Sequence, residues 1–469
     1  LGHAKRVLVI GAHPDDEDTD LIALLTRGDG AEAAYLSLNR GEGGQNLIGP
    51  ELGDALGVLR AEELLAARRL DGARQFFTRA YDFGYSRSLE DTWAQWPRDT
   101  LLADVVRVIR AFQPQVIVSI FSGTPRDGHG QHQAAGWLAH EAFKVAGDPR
   151  VFPDQIREGL APWLPLRLFR STRFDTAGTS LTADAGRLDP ATGQTFHQTA
   201  MASRSLHRSQ DMGQLQQVGA SPVRLALVED RTGKDGGGIF VGIDTTLGAA
   251  AGPAARGALD DYARRVAALR GAAPTLAQVR AASAALLRAQ RQAPGSAELA
   301  SERRALDQVG QVLAGVLVDA YADDSLLVPG RPATVTLEAY NASRDRVALR
   351  MALAGVADTT LEVSLAPGER AVLPVRLTVP ASAPLTAVPQ QRTSRDVALY
   401  ERDGWLGTPA DAEPVSALVA SYTLLGDGPI GPIERPVVYR WTEQSRGEDR
   451  TPAVVVPRVD VSVVPGELP

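Results

Sequence analysis

Gln115 to Phe121 (QVIVSIF) is an apolar run with almost no polar alternation. Such a strand is buried on both faces, which is the condition of a parallel sheet covered by helices. Arg6 to Ile10 (RVLVI) is a second β-branched run of the same kind. Between them the spacing predicts a helix over about Thr19 to Thr26 and a strand over Ala33 to Leu38. A long helix is predicted from Pro50 to Leu70, with Leu52, Leu56, Leu59, Leu64 and Leu65 near helical spacing. Pro50 suits an early helical position and Gly72 a terminator. Phe76 to Ala80 reads as a weaker strand and Thr100 to Phe112 as another helix. Strands alternating with helices imply βαβ units and a mostly parallel sheet, whose ligands sit beyond the carboxyl ends of the strands.

Residues 175 to 195 read as a long surface loop, Thr199 to Leu215 as helix and Val223 to Val228 as strand. Two Gly-rich stretches between 230 and 257 place the end of a first domain, 1–245. The segment 246–322 is Ala-rich and helical, with breaks at Gly271 to Pro274 and Pro294 to Gly295. Leu306, Val309, Leu313, Val316 and Leu317 form a stripe on its last helix. From about Leu326 the period becomes two, as in Thr334 to Ala339, with Pro-Gly punctuation at 329–330 and 367–368. That pattern predicts an all-β, Ig-like sandwich over 323–469, ending in the start of a further domain.

The chain of 469 residues is 44% hydrophobic and 22% charged, a globular balance for two or three domains. A net charge of −7 argues against general nucleic-acid binding. Only Lys5, Lys144 and Lys234 among the 49 basic residues are lysine. The absence of cysteine excludes disulfides, thiolate metal sites and cysteine nucleophiles. No apolar run is long enough to span a membrane. The start at Leu1 without methionine, together with the lack of cysteine, leads to the expectation that a leader is removed and the protein exported.

The first strand runs into Gly11-Ala12-His13-Pro14-Asp15-Asp16-Glu17. An imidazole and a carboxylate three positions apart in a tight turn can converge on one cation. The loop after the other strong strand carries Asp127, His129 and His132. If the two strands are neighbours, both loops open on one crevice and make a two-His, one-Asp set that suits zinc or another divalent ion. Asp15 then stands beside the ligand Asp16, free to move protons. Taken alone, the acidic run is an ordinary helix start. His3, His140 and His197 read as surface residues.

Ala12 to Glu17 (AHPDDE) followed by Asp127 to Gly136 (DGHGQHQAAG) resembles the PIG-L-type, or LmbE-like, N-acetylglucosaminyl deacetylase family, over about the first 230 residues. The resemblance implies a Rossmann-like α/β fold with helices on both faces. It implies a hydrolase acting on a linear amide bond, removing acetyl from an N-acetylglucosamine-type sugar or glycan. It assigns the metal to His13, Asp16 and His132, the general base to Asp15 and oxyanion stabilisation to His129. Glu42, Arg60, Asp82 and His207 look similar to its sugar-contacting residues. Plain alternatives stand beside these: Arg60 and Glu63 as an i, i+3 surface pair, and His207 as a buried structural histidine. One departure is Gln131, where small family members often carry an acid.

Two other classes fit parts of the pattern. A catalytically weak sugar-binding protein would keep the crevice without the chemistry, though an intact Asp15 speaks against it. A non-haem iron oxygenase uses the same donor set, but on a His-x-Asp strand rather than a His-x-x-Asp loop.

Overall fold

A computed structural model of the chain describes residues 1–173, 175–234, 237–269, 273–355, 358–386, 398–401 and 416–459. The chain divides into two compact units. One comprises His3–Thr245 with the stretch Pro389–Glu413, of which 398–401 are described; the other comprises Leu1–Gly2, Thr246–Val388 and Pro414–Pro469.

The elements of the first unit are, in order, β1 (Arg6–Gly11), α1 (Thr19–Ala23), β2 (Glu32–Ser37), α2 (Asp54–Asp71), β3 (Arg74–Phe77), α3 (Leu89–Gln95), α4 (Arg98–Phe112), β4 (Val116–Ser119), α5 (Gly130–Val145), α6 (Pro153–Arg157), β5 (Arg167–Ser171), β6 (Leu181–Asp184), β7 (Leu188–Asp189), β8 (Gln194–Thr195), α7 (Phe196–Arg204) and β9 (Pro222–Asp230). Seven of the strands form one sheet in the order β3-β2-β1-β4-β5-β9-β6. The first five are parallel, and β9 and β6 close the sheet antiparallel. Every residue of β1 and β4 is buried, as their unbroken apolar runs require. β1 pairs with β2 on one side and β4 on the other, so the order reverses between β1 and β4. This is where an open α/β sheet leaves a crevice at the strand ends.

Several boundaries differ from the periodicity. Helix α2 starts at Asp54 because Gly53 sits at φ +60°, outside helical space; Leu52 is exposed, and Pro50 lies outside the helix. Gly72 ends it in the left-handed conformation, its N–H on the Arg68 carbonyl. The stretch 175–195 carries β6, β7 and β8 rather than a bare loop, and α7 stops at Arg204. Strand β5 went unread because arginines flank its apolar pair. Arg167 is buried there, bonded to Asp230 at 3.1 Å, Thr232 at 2.9 Å and the Lys234 carbonyl at 2.7 Å.

The second unit opens with helices α8 (Leu247–Ala251), α9 (Arg256–Leu269), α10 (Leu276–Gln292) and α11 (Ala297–Ala314). Strands follow: β10 (Val316–Ala322), β11 (Leu326–Leu327), β12 (Pro332–Asn341), β13 (Val347–Gly355), β14 (Thr359–Leu365), β15 (Arg370–Thr378), β16 (Leu418–Leu424), β17 (Ile430–Pro436), β18 (Val438–Glu443), β19 (Gly447–Pro452) and β20 (Val454–Val455). They make a five-stranded sheet, β15-β12-β10-β18-β19, a four-stranded sheet, β14-β13-β16-β17, and the small pair β11-β20. Val316 and Leu317, which the periodicity places on the last helix, instead begin β10. Gly315, left-handed at φ +60°, ends α11 one residue earlier. The helices and sheets belong to one unit rather than two segments. Arg303 donates to the carbonyls of Pro429 (2.7 Å) and Gly431 (2.9 Å), and Asp307 accepts from the Gly431 N–H at 2.9 Å. Among the described residues, no helix is long and apolar enough to cross a membrane. Gly236, Gly271 and the last ten residues, where the start of a further domain is expected, lie outside the described residues.

Candidate metal centre and active site

Strand β1 ends at Gly11 because nothing larger fits: a Cβ there would lie 2.3 Å from the Tyr35 hydroxyl. That hydroxyl donates to the His13 carbonyl at 2.6 Å and fixes the turn that follows. The Asp16 carboxylate folds back over the strand end, with Oδ2 accepting from the N–H groups of Ala12 (3.0 Å) and His13 (2.7 Å). The loop after β4 is organised by Asp127, whose carboxylate accepts from the N–H groups of Ser122, Gly123 and Thr124. His129 then caps α5, and His132 sits in its first turn.

The nitrogen and oxygen donors of His13, Asp16 and His132 lie within 4.8 Å of one another. His13 Nδ1 is 3.2 Å from Asp16 Oδ2, and His132 Nε2 is 3.5 Å from Asp16 Oδ1. The far side of each ring settles its tautomer. Gln131 donates through Nε2 to the Gly84 carbonyl (2.9 Å) and Asp82 Oδ1 (3.0 Å), so its Oε1 faces His13 Nε2 at 2.9 Å and must accept. The His132 Nδ1–H donates to the Asp127 carbonyl at 3.3 Å. Each imidazole therefore turns its other nitrogen toward Asp16. Both outer nitrogens are braced, as metal-ligating histidines require. His132 also stacks on Phe121, with centroids 4.1 Å apart.

Burial works against charge on His13, yet the Asp16 carboxylate outweighs it and holds the ring up at about 9. Burial likewise opposes the Asp16 charge, but His132 and His13 keep that carboxyl well below its ordinary range. A site that keeps a carboxylate ionised and a proton on its neighbour is poised to exchange that proton for a cation. Burial pushes His132 down, and burial with His13 and His132 pushes His129 down to about 4. The donor set and its bracing fit a divalent metal.

The other predicted residues fall around this centre. Asp15 pairs with Arg60, Nη2 to Oδ2 3.3 Å, and Arg60 Nη1 donates to the Gly41 carbonyl at 3.0 Å. The surface-pair alternative for Arg60 is excluded: Arg60 is buried, and Glu63 instead accepts from Ser209. Glu42 Oε2 accepts from the Asp82 N–H at 3.0 Å, and Asp82 Oδ1 accepts from Gln131. His129 lies tilted against Tyr85 at 5.1 Å and stacks on His13 at 5.3 Å. His207 is set back from this group. It is 1% exposed, with Nε2 2.8 Å from the buried Glu17, which also pairs with Arg68. His197, read as a surface residue, is half-buried and bonds Asp20 at 2.8 Å. A cavity of about 660 Å³ opens beside Asp16 and His132, walled by Phe121, Ser122, Arg126 and Arg170.

Sequence reasoning missed the bracing. Asn39 donates to Gln131 Oε1 at 2.8 Å, and Tyr400, more than three hundred residues downstream of Glu42, donates to Glu42 Oε1 at 2.7 Å. The departure at Gln131 marked the first of these positions; no local signal marks the second.

Residues 8–143 match the family model described as PIG-L, GlcNAc-PI de-N-acetylase. The chain is 30% identical over 187 residues to 1D-myo-inositol 2-acetamido-2-deoxy-alpha-D-glucopyranoside deacetylase of Thermobispora bispora, covering 36% of this chain and 59% of that protein. It is 31% identical over 160 residues to diacetylchitobiose deacetylase of Thermococcus kodakarensis, covering 34% and 56%. The match thus spans less than two thirds of these relatives' lengths. Among solved structures, N,N'-diacetylchitobiose deacetylase from Pyrococcus horikoshii aligns over 44% of this chain and 71% of that one, with 22% identity and a TM-score of 0.35. The strand order, not that likeness, defines the fold here. The family match falls on the two strands and two loops that build the His13–Asp16–His132 cluster, and residues 8–143 are a PIG-L family domain.

Proposed function

We propose that this chain is a metal-dependent N-deacetylase that releases acetate from an N-acetylglucosamine-type sugar, with zinc as its metal. The observation that carries the reading is the pair of braced imidazoles whose inner nitrogens converge on Asp16, with a second carboxylate, Asp15, next in sequence. A divalent cation held by His13, Asp16 and His132 supplies Lewis acidity and lowers the pKa of water. Asp15 takes the proton of the attacking water and returns it to the nitrogen as the acetyl C–N bond breaks. Arg60 holds the Asp15 carboxylate in place. His129 is neutral near pH 7. In the tautomer whose Nδ1 accepts from the Gln131 N–H at 3.4 Å, its Nε2–H donates to the developing oxyanion.

We assign sugar contact to Glu42, Arg60 and Asp82, and the cavity beside Asp16 and His132 to the rest of a glycan. The placement of His207 supports a bracing role for Glu17 in place of sugar contact. The two larger sheets of the second unit read as the layers of a sandwich suited to a larger or anchored substrate. We also propose export from the cytoplasm, supported by the lack of cysteine and by that appended β-rich unit. Metal analysis of the purified chain, coupled to acetate release over a panel of N-acetylated sugars, tests the activity. Stoichiometric zinc with no acetate from any sugar would refute it. Cell fractionation tests the location.

A further inference from the structure

Tyr400 lies far outside the matched family domain, inside the stretch that alternation assigns to the β-rich region. The structure places it in the catalytic unit. Residues 398–401 lie antiparallel to the chain just after β3: Leu399 bridges Ala80, the Tyr81 N–H donates to the Ala398 carbonyl (3.0 Å), and the Tyr400 N–H donates to the Arg79 carbonyl (2.7 Å). The Tyr400 ring is 3% exposed, edge-on to Tyr81 at 5.6 Å and under the Arg40 guanidinium at 5.2 Å. Its hydroxyl donates to Glu42 Oε1 at 2.7 Å. From there the bonds run on without a gap. Glu42 Oε2 accepts from the Asp82 N–H, Asp82 Oδ1 from Gln131 Nε2, and Gln131 Oε1 from His13 Nε2.

We propose that Tyr400 is a positioning residue of the deacetylase site. It holds the Glu42 carboxylate and, through it, the Asp82–Gln131–His13 chain from a segment no part of the family domain supplies. The inference rests on the deacetylase reading. A buried carboxylate without a donor on one oxygen would turn to another partner, and the loop carrying Asp82 would lose one of its anchors.

The test uses the full chain and an N-acetylglucosaminide that the wild type deacetylates. Tyr400→Phe keeps the ring and removes the donor, so kcat/KM falls on the order of tenfold while metal content stays at the wild-type value. The second readout is the double-mutant cycle with Glu42→Gln. If Tyr400 acts through Glu42, adding Tyr400→Phe to Glu42→Gln changes kcat/KM by less than about twofold. Where the Glu42→Gln rate is too low, calorimetric affinity for the deacetylated amino sugar closes the same cycle. A Tyr400→Phe enzyme within about twofold of wild type overturns the inference, as does a loss that persists undiminished beside Glu42→Gln, which packing alone would produce. A wild type that releases no acetate from any sugar overturns the functional reading itself.

Discussion

Gln131 is the residue at which an amide and a carboxylate have opposite consequences. Gln131→Glu keeps the length and shape of the side chain. One oxygen still accepts from His13 Nε2 and Asn39 Nδ2, as Oε1 does now. The other oxygen replaces an N–H₂ that lies 3.0 Å from Asp82 Oδ1 and 2.9 Å from the Gly84 carbonyl. Acceptor then faces acceptor twice. Two unit charges at that range repel by about 5 kcal/mol at an effective dielectric of about 20. The pair escapes part of this by sharing a proton. Holding a carboxyl protonated at pH 7 costs about 1.4 kcal/mol per unit above ~4.3, roughly 4 kcal/mol in all, so proton uptake caps the loss. The new group's pKa is raised in the folded state, so its folded form binds the extra proton and stability falls as pH rises from about 4.3 toward 7. Native-state hydrogen exchange of the β1 and β4 amides in metal-free protein reads this opening energy. The variant should lose at most about 4 kcal/mol near pH 7 and at most about 1 kcal/mol near pH 5, the His13 imidazolium beside the first oxygen returning part of either loss. Equal protection at pH 7, or a deficit that grows on acidification, would refute the assigned amide orientation and with it the His13 tautomer.

Other predictions follow from the same geometry. Asp15→Asn should retain metal and lose about 10²–10⁴-fold in deacetylation rate, since it keeps the shape and removes the base; a mutant with full metal and near-normal turnover would exclude Asp15 as the proton carrier. His13→Ala and His132→Ala each remove one of three ligands, so metal content measured after dialysis should collapse, and full occupancy in the double mutant would dispose of the centre. Burial opposes the Glu17 charge, but His207 and Arg68 outweigh it and hold the carboxyl at about 2. Its folded pKa is depressed, so its contribution, on the order of 3 kcal/mol, is present above about 4.5 and lost as pH falls toward 2. Glu17→Gln should flatten the acid limb of a stability–pH curve, and an unchanged limb would count against the pairing.

The chemistry was legible where it depends on short-range order. The β1 and β4 runs announce buried parallel strands, and a motif at the end of each announces the crevice between them. What stayed hidden depends on partners distant in sequence. Arg60 reads equally as a sugar contact or as half of a surface pair with Glu63 until Asp15 and the Gly41 carbonyl close around it. Strand β5 is masked by Arg167, which the distant Asp230, Thr232, Lys234 and Gly238 satisfy. The apolar spacing of α11 continues through Val316 and Leu317, and a single left-handed glycine decides that these residues start a strand. Gln131 carries a warning in its residue type, yet its role needs the Gly84 carbonyl to orient the amide.

The segment around Tyr400 also sets a timetable. It is separated from Glu42 by 358 positions, and the helices and the first six of the eleven described strands of the second unit are encoded in between. At synthesis rates of about 5–20 residues per second, the ribosome needs roughly 20–70 s between the two residues. From the completion of β9 to the end of that interval the nascent first unit has its sheet but not the phenol that anchors Glu42. The half of this protein that holds the His13–Asp16–His132 cluster is made first and finished late, so a chain cut short between residues 143 and 400 carries all three of those side chains and still lacks the phenol on Glu42.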